Sequence, residues 1–222
     1  MLIEPQWIVL GGGVGVALAA GGVLLARAAE RKRREALEQF CLMRGFRFER
    51  ERPGAEAAQA ALFEPFRSGH SRKWGYTLTG AVSGRPFTAF EYRWVTGGGK
   101  SSHRYALHAI LWEAPQGGLP AFTLGPENLL TRIAGVFGAQ DIDFADAPEF
   151  SSAYRLRGED EAAIRAFLTP DLRQYLALTP GQQIAARGAR LLWWRPGRLP
   201  KPDQLEQFLM EGDAVGRRLL KQ

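Results

Sequence analysis

From Trp7 to Ala26 the chain reads WIVLGGGVGVALAAGGVLLA, a run without a single charged residue. A helix rising about 1.5 Å per residue over that length spans about 30 Å, the thickness of a bilayer's hydrocarbon core. Glycine weakens a helix in water but is common in membrane spans. The pattern therefore predicts a transmembrane helix over 7–26 behind a short external tail, 1–6. Nothing between Arg27 and Arg44 breaks a helix, and Ala29, Ala36, Leu37, Phe40 and Cys41 recur at helical intervals. The span is expected to continue as a basic stalk helix over 27–44, which Gly45 ends.

Beyond Gly45 the period changes. Phe46 and Phe48 alternate with charged residues, Pro53-Gly54 breaks the chain, and AEAAQAALF (55–63) reads as a short helix. Lys73–Val82 and Arg85–Val95 flank Ser83-Gly84 as a hairpin, with Phe90, Tyr92 and Trp94 on one face of the second strand. TGGGKSS (96–102) is a loop, HRYALHAILWE a strand, and a short strand lies near Ala121–Leu124. Helices are expected at 127–137, over GEDEAAIRAFL after a strand at Ser152–Arg157, and at DLRQYLA. QIAAR and RLLWW form a closing hairpin, and Asp203 caps a last helix with Leu205, Phe208, Leu209, Val215 and Leu219 facing the core. The fold class is α+β. Residues 45–222 form one domain, a mainly antiparallel sheet of about seven or eight strands with three or four helices.

Charge fixes the expected topology. The net charge is +6, and Arg27, Arg31, Lys32, Arg33 and Arg34 against Glu30 account for most of it. From Glu35 onward 24 basic residues face 21 acidic ones, which argues against a nucleic-acid partner. The basic residues all lie on the C-terminal side of the apolar run, so the positive-inside rule places the domain in the cytosol and the N-terminus outside. Trp7 is the interfacial anchor at one end, and Arg27 snorkels at the other. A cleaved signal peptide fits poorly, since Met1–Gln6 has no Lys or Arg and the apolar run is long. Small residues at spacing four, Gly11, Gly15 and Ala19 with Gly13, Ala17 and Gly21, offer faces for helix association. The expected partners are the bilayer and other membrane proteins or a second copy. A single cysteine, Cys41, excludes an intrachain disulfide, and 24 Arg against 5 Lys suits a high-GC bacterial genome.

Candidate chemistry fails on geometry. Aligning Gly99-Lys100-Ser101 with a phosphate loop puts Trp94 where the first glycine belongs, and a strand follows where a helix is needed. His103 and His108 are an odd number apart and face opposite ways on one strand, and His70 sits in a loop. Ser101-Ser102-His103 lacks a nucleophile elbow. Asp141, Asp143, Asp146 and Glu149 cluster without calcium-loop spacing, so Asp141 and Asp143 read as the exposed side of a segment whose other side carries Ile142 and Phe144. Of Trp193 and Trp194, one is expected in the core and the other partly exposed. These readings assign no catalytic residue, no metal ligand and no cofactor.

The elements in this order, together with GFRF, SGRPFTAFEYRWVTGGGK, LPAFTLGPE and PEFSSAYRLRGEDEAAIRAFLTPDLRQYL, resemble an uncharacterised bacterial family of small single-pass membrane proteins. The resemblance covers most of residues 35–195. It implies the topology and carries no activity, catalytic residues or cofactor. Three readings of function follow: a membrane-tethered interaction or scaffold module, a pleckstrin-like reader of lipid surfaces, and an enzyme whose site is assembled from dispersed residues.

Overall fold

The computed structural model of the protein describes residues 6–50, 59–63, 66–114, 118–126 and 141–220, with side chains on the first helix from Gly21 onward. Helix α1 runs unbroken over Gln6–Arg44. Gly45 follows at φ 69°, and the Gly45 and Phe46 amides donate to Leu42 and Cys41 carbonyls at 3.3 and 2.8 Å. This left-handed glycine turn satisfies the last carbonyls and ends the helix. Among the described residues no helix is long and apolar enough to cross a membrane. The side chains of 7–20, most of the apolar run, lie outside that description.

Among the described residues eight strands form one antiparallel sheet in the order β1-β2-β3-β4-β8-β7-β5-β6. They are β1 Arg47–Glu49, β2 His70–Val82, β3 Arg85–Thr96, β4 His103–Glu113, β5 Leu119–Gly125, β6 Arg155–Gly158, β7 Ile184–Gly188 and β8 Arg190–Pro196. The turn between β2 and β3 places Ser83 at φ 51° and Gly84 at φ 76°, the twin left-handed residues a two-residue hairpin needs. A 3-10 turn at Gly99–Ser101 leads from β3 to β4. Pairing of β4 with β8, Leu107 opposite Pro196 through Glu113 opposite Arg190, joins the N-terminal meander to the C-terminal half.

Among the described residues four helices follow α1: α2 Pro148–Ala153, α3 Glu161–Phe167, α4 Pro170–Leu178 and α5 Pro202–Leu219. Asp160 caps α3 by accepting the Ala163 amide at 2.9 Å. The helices cover one face of the sheet. There Leu37, Phe40 and Cys41 of α1 and Leu205, Phe208, Leu209, Val215 and Leu219 of α5 are buried with Leu78, Ile110, Trp112 and Trp193. Burying each large apolar side chain contributes about 1.5–3 kcal/mol. Gly212 lets α5 lie against the sheet, because a methyl there would stand 2.5 Å from Ile110 and 3.0 Å from Trp193.

The opposite face is also covered. Phe63 and Phe66 pack with Phe90, Tyr92, Trp94, Leu107 and Trp194 in a second, aromatic core. This corrects the expectation for the tryptophan pair: Trp193 and Trp194 face opposite ways, as adjacent strand residues must, and both are buried. Other boundaries move. β2 begins at His70 rather than Lys73, so His70, expected in a loop, pairs with Val95 in the ladder. Pro148 starts a helix over part of the expected acidic loop and Ser152 strand, so β6 begins only at Arg155. Lys201 is the N-cap of α5, Pro202 opens it, and Asp203 sits in its first turn without capping. Of 55–63 the described part is a 3-10 turn, Ala60–Leu62, and 127–137 lies outside the described residues.

Candidate functional site

The period of β3 sends Phe90, Tyr92 and Trp94 to the aromatic core, which turns Glu91 toward the helices. Glu91 is 0% exposed. Opposite it β2 carries an irregularity: Trp74 pairs with Tyr92 and Thr77 with Phe90, leaving Gly75 and Tyr76 against Glu91 alone. Gly75 suits this approach, since a Cβ would lie a tight 3.0 Å from the Glu91 side chain. The bulge opens room in the ladder for a carboxylate and its partners.

Every direction of that carboxylate meets a donor. Arg33 of α1 donates to Oε2 at 2.7 Å and the Leu199 amide to the same oxygen at 3.1 Å. Arg198 donates to Oε1 at 3.1 Å, with the Arg93 guanidinium 3.6 Å away. Arg33 also donates to the Leu199 carbonyl at 3.0 Å and lies over the Tyr76 ring. One turn earlier on α1, Glu30 accepts from Arg198 at 2.9 and 3.0 Å and from the Tyr76 hydroxyl at 2.8 Å. The Arg198 hydrogen bond holds the Glu30 carboxyl down at about 2, against the opposing pull of partial burial. Two carboxylates and two arginines from α1, β3 and the 197–199 loop thus form one network.

The polar row continues across the sheet. His108 stands opposite Glu91 on β4, and Arg195 opposite His108 on β8. His108 Nδ1 donates to the Gly197 carbonyl at 3.2 Å while Phe208 packs its edge against the ring. Burial pushes the His108 pKa below its ordinary value. Arg195 turns away to the Gly181 carbonyl at 2.7 Å and to Gln182. Both oxygens of Glu91 are occupied by donors, so neither is free to take a substrate proton. The arrangement is a clamp.

The residues singled out in the sequence are placed apart. Arg27, Arg31 and Lys32 are exposed, and Arg31 lies 3.8 Å from Glu35. Arg34, half-buried, lies 3.9 Å from the same glutamate. Arg33, expected to be one of that basic cluster, belongs to the clamp instead. The side chains of Trp7, Gly11, Gly13, Gly15, Ala17 and Ala19 lie outside the described residues, and nothing described approaches Gly21 within 4 Å of an added methyl. Asp141 bonds Arg155 and Arg157, and Asp146 bonds Arg173 at 2.6 Å. Ile142 and Phe144 are buried between them. His70 is held by the Gly97 carbonyl at 2.9 Å and His103 is exposed. Among the described residues no group of three metal-ligating side chains gathers. One shallow hollow of about 510 Å³ lies between α4 and α5 beside Tyr175, Arg217 and Arg218. Another of about 420 Å³ lies beside Phe150, Arg173 and Leu178. Comparison with family models, curated proteins and solved structures finds no match.

The sequence signal for the clamp was present. Glu30 and Arg33 continue the stripe of Leu37, Phe40 and Cys41 at helical spacing, and Glu91 interrupts an otherwise apolar strand.

Removing one partner of a buried ion pair leaves the other stranded. Arg33→Ala should therefore destabilise the fold by about 3 kcal/mol, toward the low end of that effect because Arg198 remains. Arg31→Ala, on the same helix but exposed, should change stability by less than about 0.5 kcal/mol. Urea midpoints followed by tryptophan fluorescence compare the two, and equal shifts would contradict the clamp. Acid offers a second check. Both Glu30 and His108 have folded pKa values below their unfolded ones, so the unfolded chain binds more protons and stability is lost as the pH is lowered. The His108 contribution should fade first, below about 6.5. The Glu30 contribution is complete above the ordinary carboxyl value of 4.5 and fades from there toward 2. Glu30→Gln should flatten only the lower step of the melting temperature against pH.

Proposed function

We propose that the protein is a single-pass protein of a bacterial cytoplasmic membrane, with α1 as anchor and a cytosolic domain that acts as a non-enzymatic interaction or scaffold module. The observation that carries this reading is how α1 leaves the domain. Gly22–Ala29 are all exposed, and Glu30 is the first residue after them that the domain holds. Val23, Leu24 and Leu25 are 50, 64 and 74% exposed. The helix before Glu30 has a length of about 36 Å at the usual rise, of which the uncharged apolar run 7–26 makes about 30 Å. An apolar rod of that length standing in water is unfavourable at about 25 cal/mol per Å². Hydrocarbon covers it without residual polar groups, because a helix bonds its own backbone.

The exposed Arg27, Arg31 and Lys32 then sit at the cytosolic interface, and the small-residue faces Gly11, Gly15, Ala19 and Gly13, Ala17, Gly21 are available to a neighbouring span. The clamp adds the reason for an interaction module. With Arg33 and Glu30 locked to the sheet, the domain is held at a fixed attitude to the membrane rather than on a flexible leash. Confinement to two dimensions raises its effective concentration toward other membrane proteins.

The full chain should stay with membranes through alkaline carbonate washing, and a chain beginning at Arg27 should be released. A reporter fused after Gln222 should be active only as a cytosolic one. Release of the full chain by carbonate contradicts the anchor; periplasmic phosphatase activity from the fusion contradicts the orientation.

A further inference from the structure

We propose that the end of the sheet from which α1 emerges is a docking surface for anionic lipid headgroups. The inference rests on the anchored reading above and adds to it which face the domain turns to the bilayer and what that face binds.

The strand registers gather distant segments at one end. His70 of β2 stands opposite Val95, Thr96 opposite His103, and Leu107 opposite Pro196. Residues 66–75, 91–106 and 195–201 therefore meet there. On this β2-β3-β4-β8 half of the end they hold nine Lys or Arg residues and a single acid, Glu91, which is buried in the clamp; at the far β5-β6 edge Asp141 and Asp146 are engaged by Arg155, Arg157 and Arg173. Lys73, Arg93, Lys100, Arg104 and Lys201 are exposed. The other end of the sheet is different. It carries Glu113, Glu159, Asp160 and Glu161; its Arg85 and Arg187 are held in ion pairs with Asp213 and Glu159, and Arg190 donates to Gln59. The small excess of 24 basic over 21 acidic residues from Glu35 onward is thus the sum of a basic pole and an oppositely biased remainder.

The direction of α1 says which pole faces the membrane. Phe46, just past the helix, packs on Phe87 and covers Gly80, while Arg33 and Glu30 reach Glu91 and Tyr76 farther up the same strands. Followed toward its N-terminus, the helix climbs toward the basic end. Exposed Arg27, Arg31 and Lys32 extend the same positive field along the helix itself. A cytoplasmic leaflet bearing anionic lipids attracts such a surface, each cation near it strengthening attachment about fivefold. The loop 97–102 contains Gly, Lys and Ser but no large apolar residue, which suits contact with headgroups rather than insertion. A nucleic acid would also meet positive charge, yet the rings at this end are already stacked on one another. Trp94 lies between Tyr92 and Tyr105, and Trp74 lies on Phe66, so the flat faces a base would use are taken.

The test places the full chain in nanodiscs of phosphatidylcholine alone or of phosphatidylcholine and phosphatidylglycerol in equal parts. Amide hydrogen exchange is then read in each. Peptides covering 67–73 and 97–104 should exchange severalfold more slowly in the anionic discs, with the Ser83-Gly84 turn unchanged. High salt should erase the difference. The triple variant Lys73→Glu, Lys100→Glu, Arg104→Glu should lose it too while keeping the parent melting temperature, since all three side chains are exposed. If the chain enters both discs and exchanges equally in both, this inference is overturned and the anchor stands. Slowing by an added RNA oligomer in neutral discs, with none in anionic discs, overturns it in favour of nucleic acid. A chain that enters neither disc overturns both readings.

Discussion

A carboxylate with no exposed surface, set in the middle of a sheet, must be neutralised by its neighbours, and Glu91 is met by arginines from different parts of the chain. Desolvating such an ion is unfavourable by several kcal/mol unless charge and hydrogen bonds compensate it. Compensation arrives only when α1 lies along the sheet and the 197–199 loop closes over it. The Gly75 bulge, the positions of Arg33 and Glu30, and the path of the chain between β8 and α5 all answer to that requirement. The consequence is mechanical: α1 cannot swing free without leaving an unpaired charge in the protein interior. The helix and the domain behave as one body.

The rest of the fold is consistent with such a body. Coverage of both sheet faces fixes the strand register, because a one-residue slip would exchange the Trp193 and Trp194 environments. The β4–β8 pairing ties the C-terminal half to the meander that holds Glu91. That same pairing brings the 195–201 segment beside the starts of β2 and β4, which concentrates positive charge at the end where α1 departs. A single topology therefore sets both the rigidity of the helix and the electrostatic polarity of the domain.

Much of this was legible in the sequence where the signal is local. The Ser83-Gly84 hairpin, the alternation of Phe90, Tyr92 and Trp94, the long helix ending at Gly45 and the core face of α5 all follow from period and turn chemistry. Pro148 misled because its helix is short and borders a strand, so the two periods overlap. The clamp was legible only in part. Helical spacing puts Arg33 on the stripe of Leu37 and Phe40 and sets it apart from Arg31 and Lys32, but its partner, Glu91, lies 58 residues away and only the folded contact joins the two. The basic pole was hidden, because a net charge sums over the chain and discards position.

Arg33 and Glu91 stabilise the fold through each other. A double-mutant cycle with Arg33→Met and Glu91→Leu in the full chain, read by urea denaturation, isolates that pairwise energy. Mutual stabilisation requires the double variant to be more stable than the sum of the single effects, by about 1–3 kcal/mol. Single effects that add to within about 0.5 kcal/mol would contradict it, and α1 would then be a helix resting on the domain rather than one locked into it.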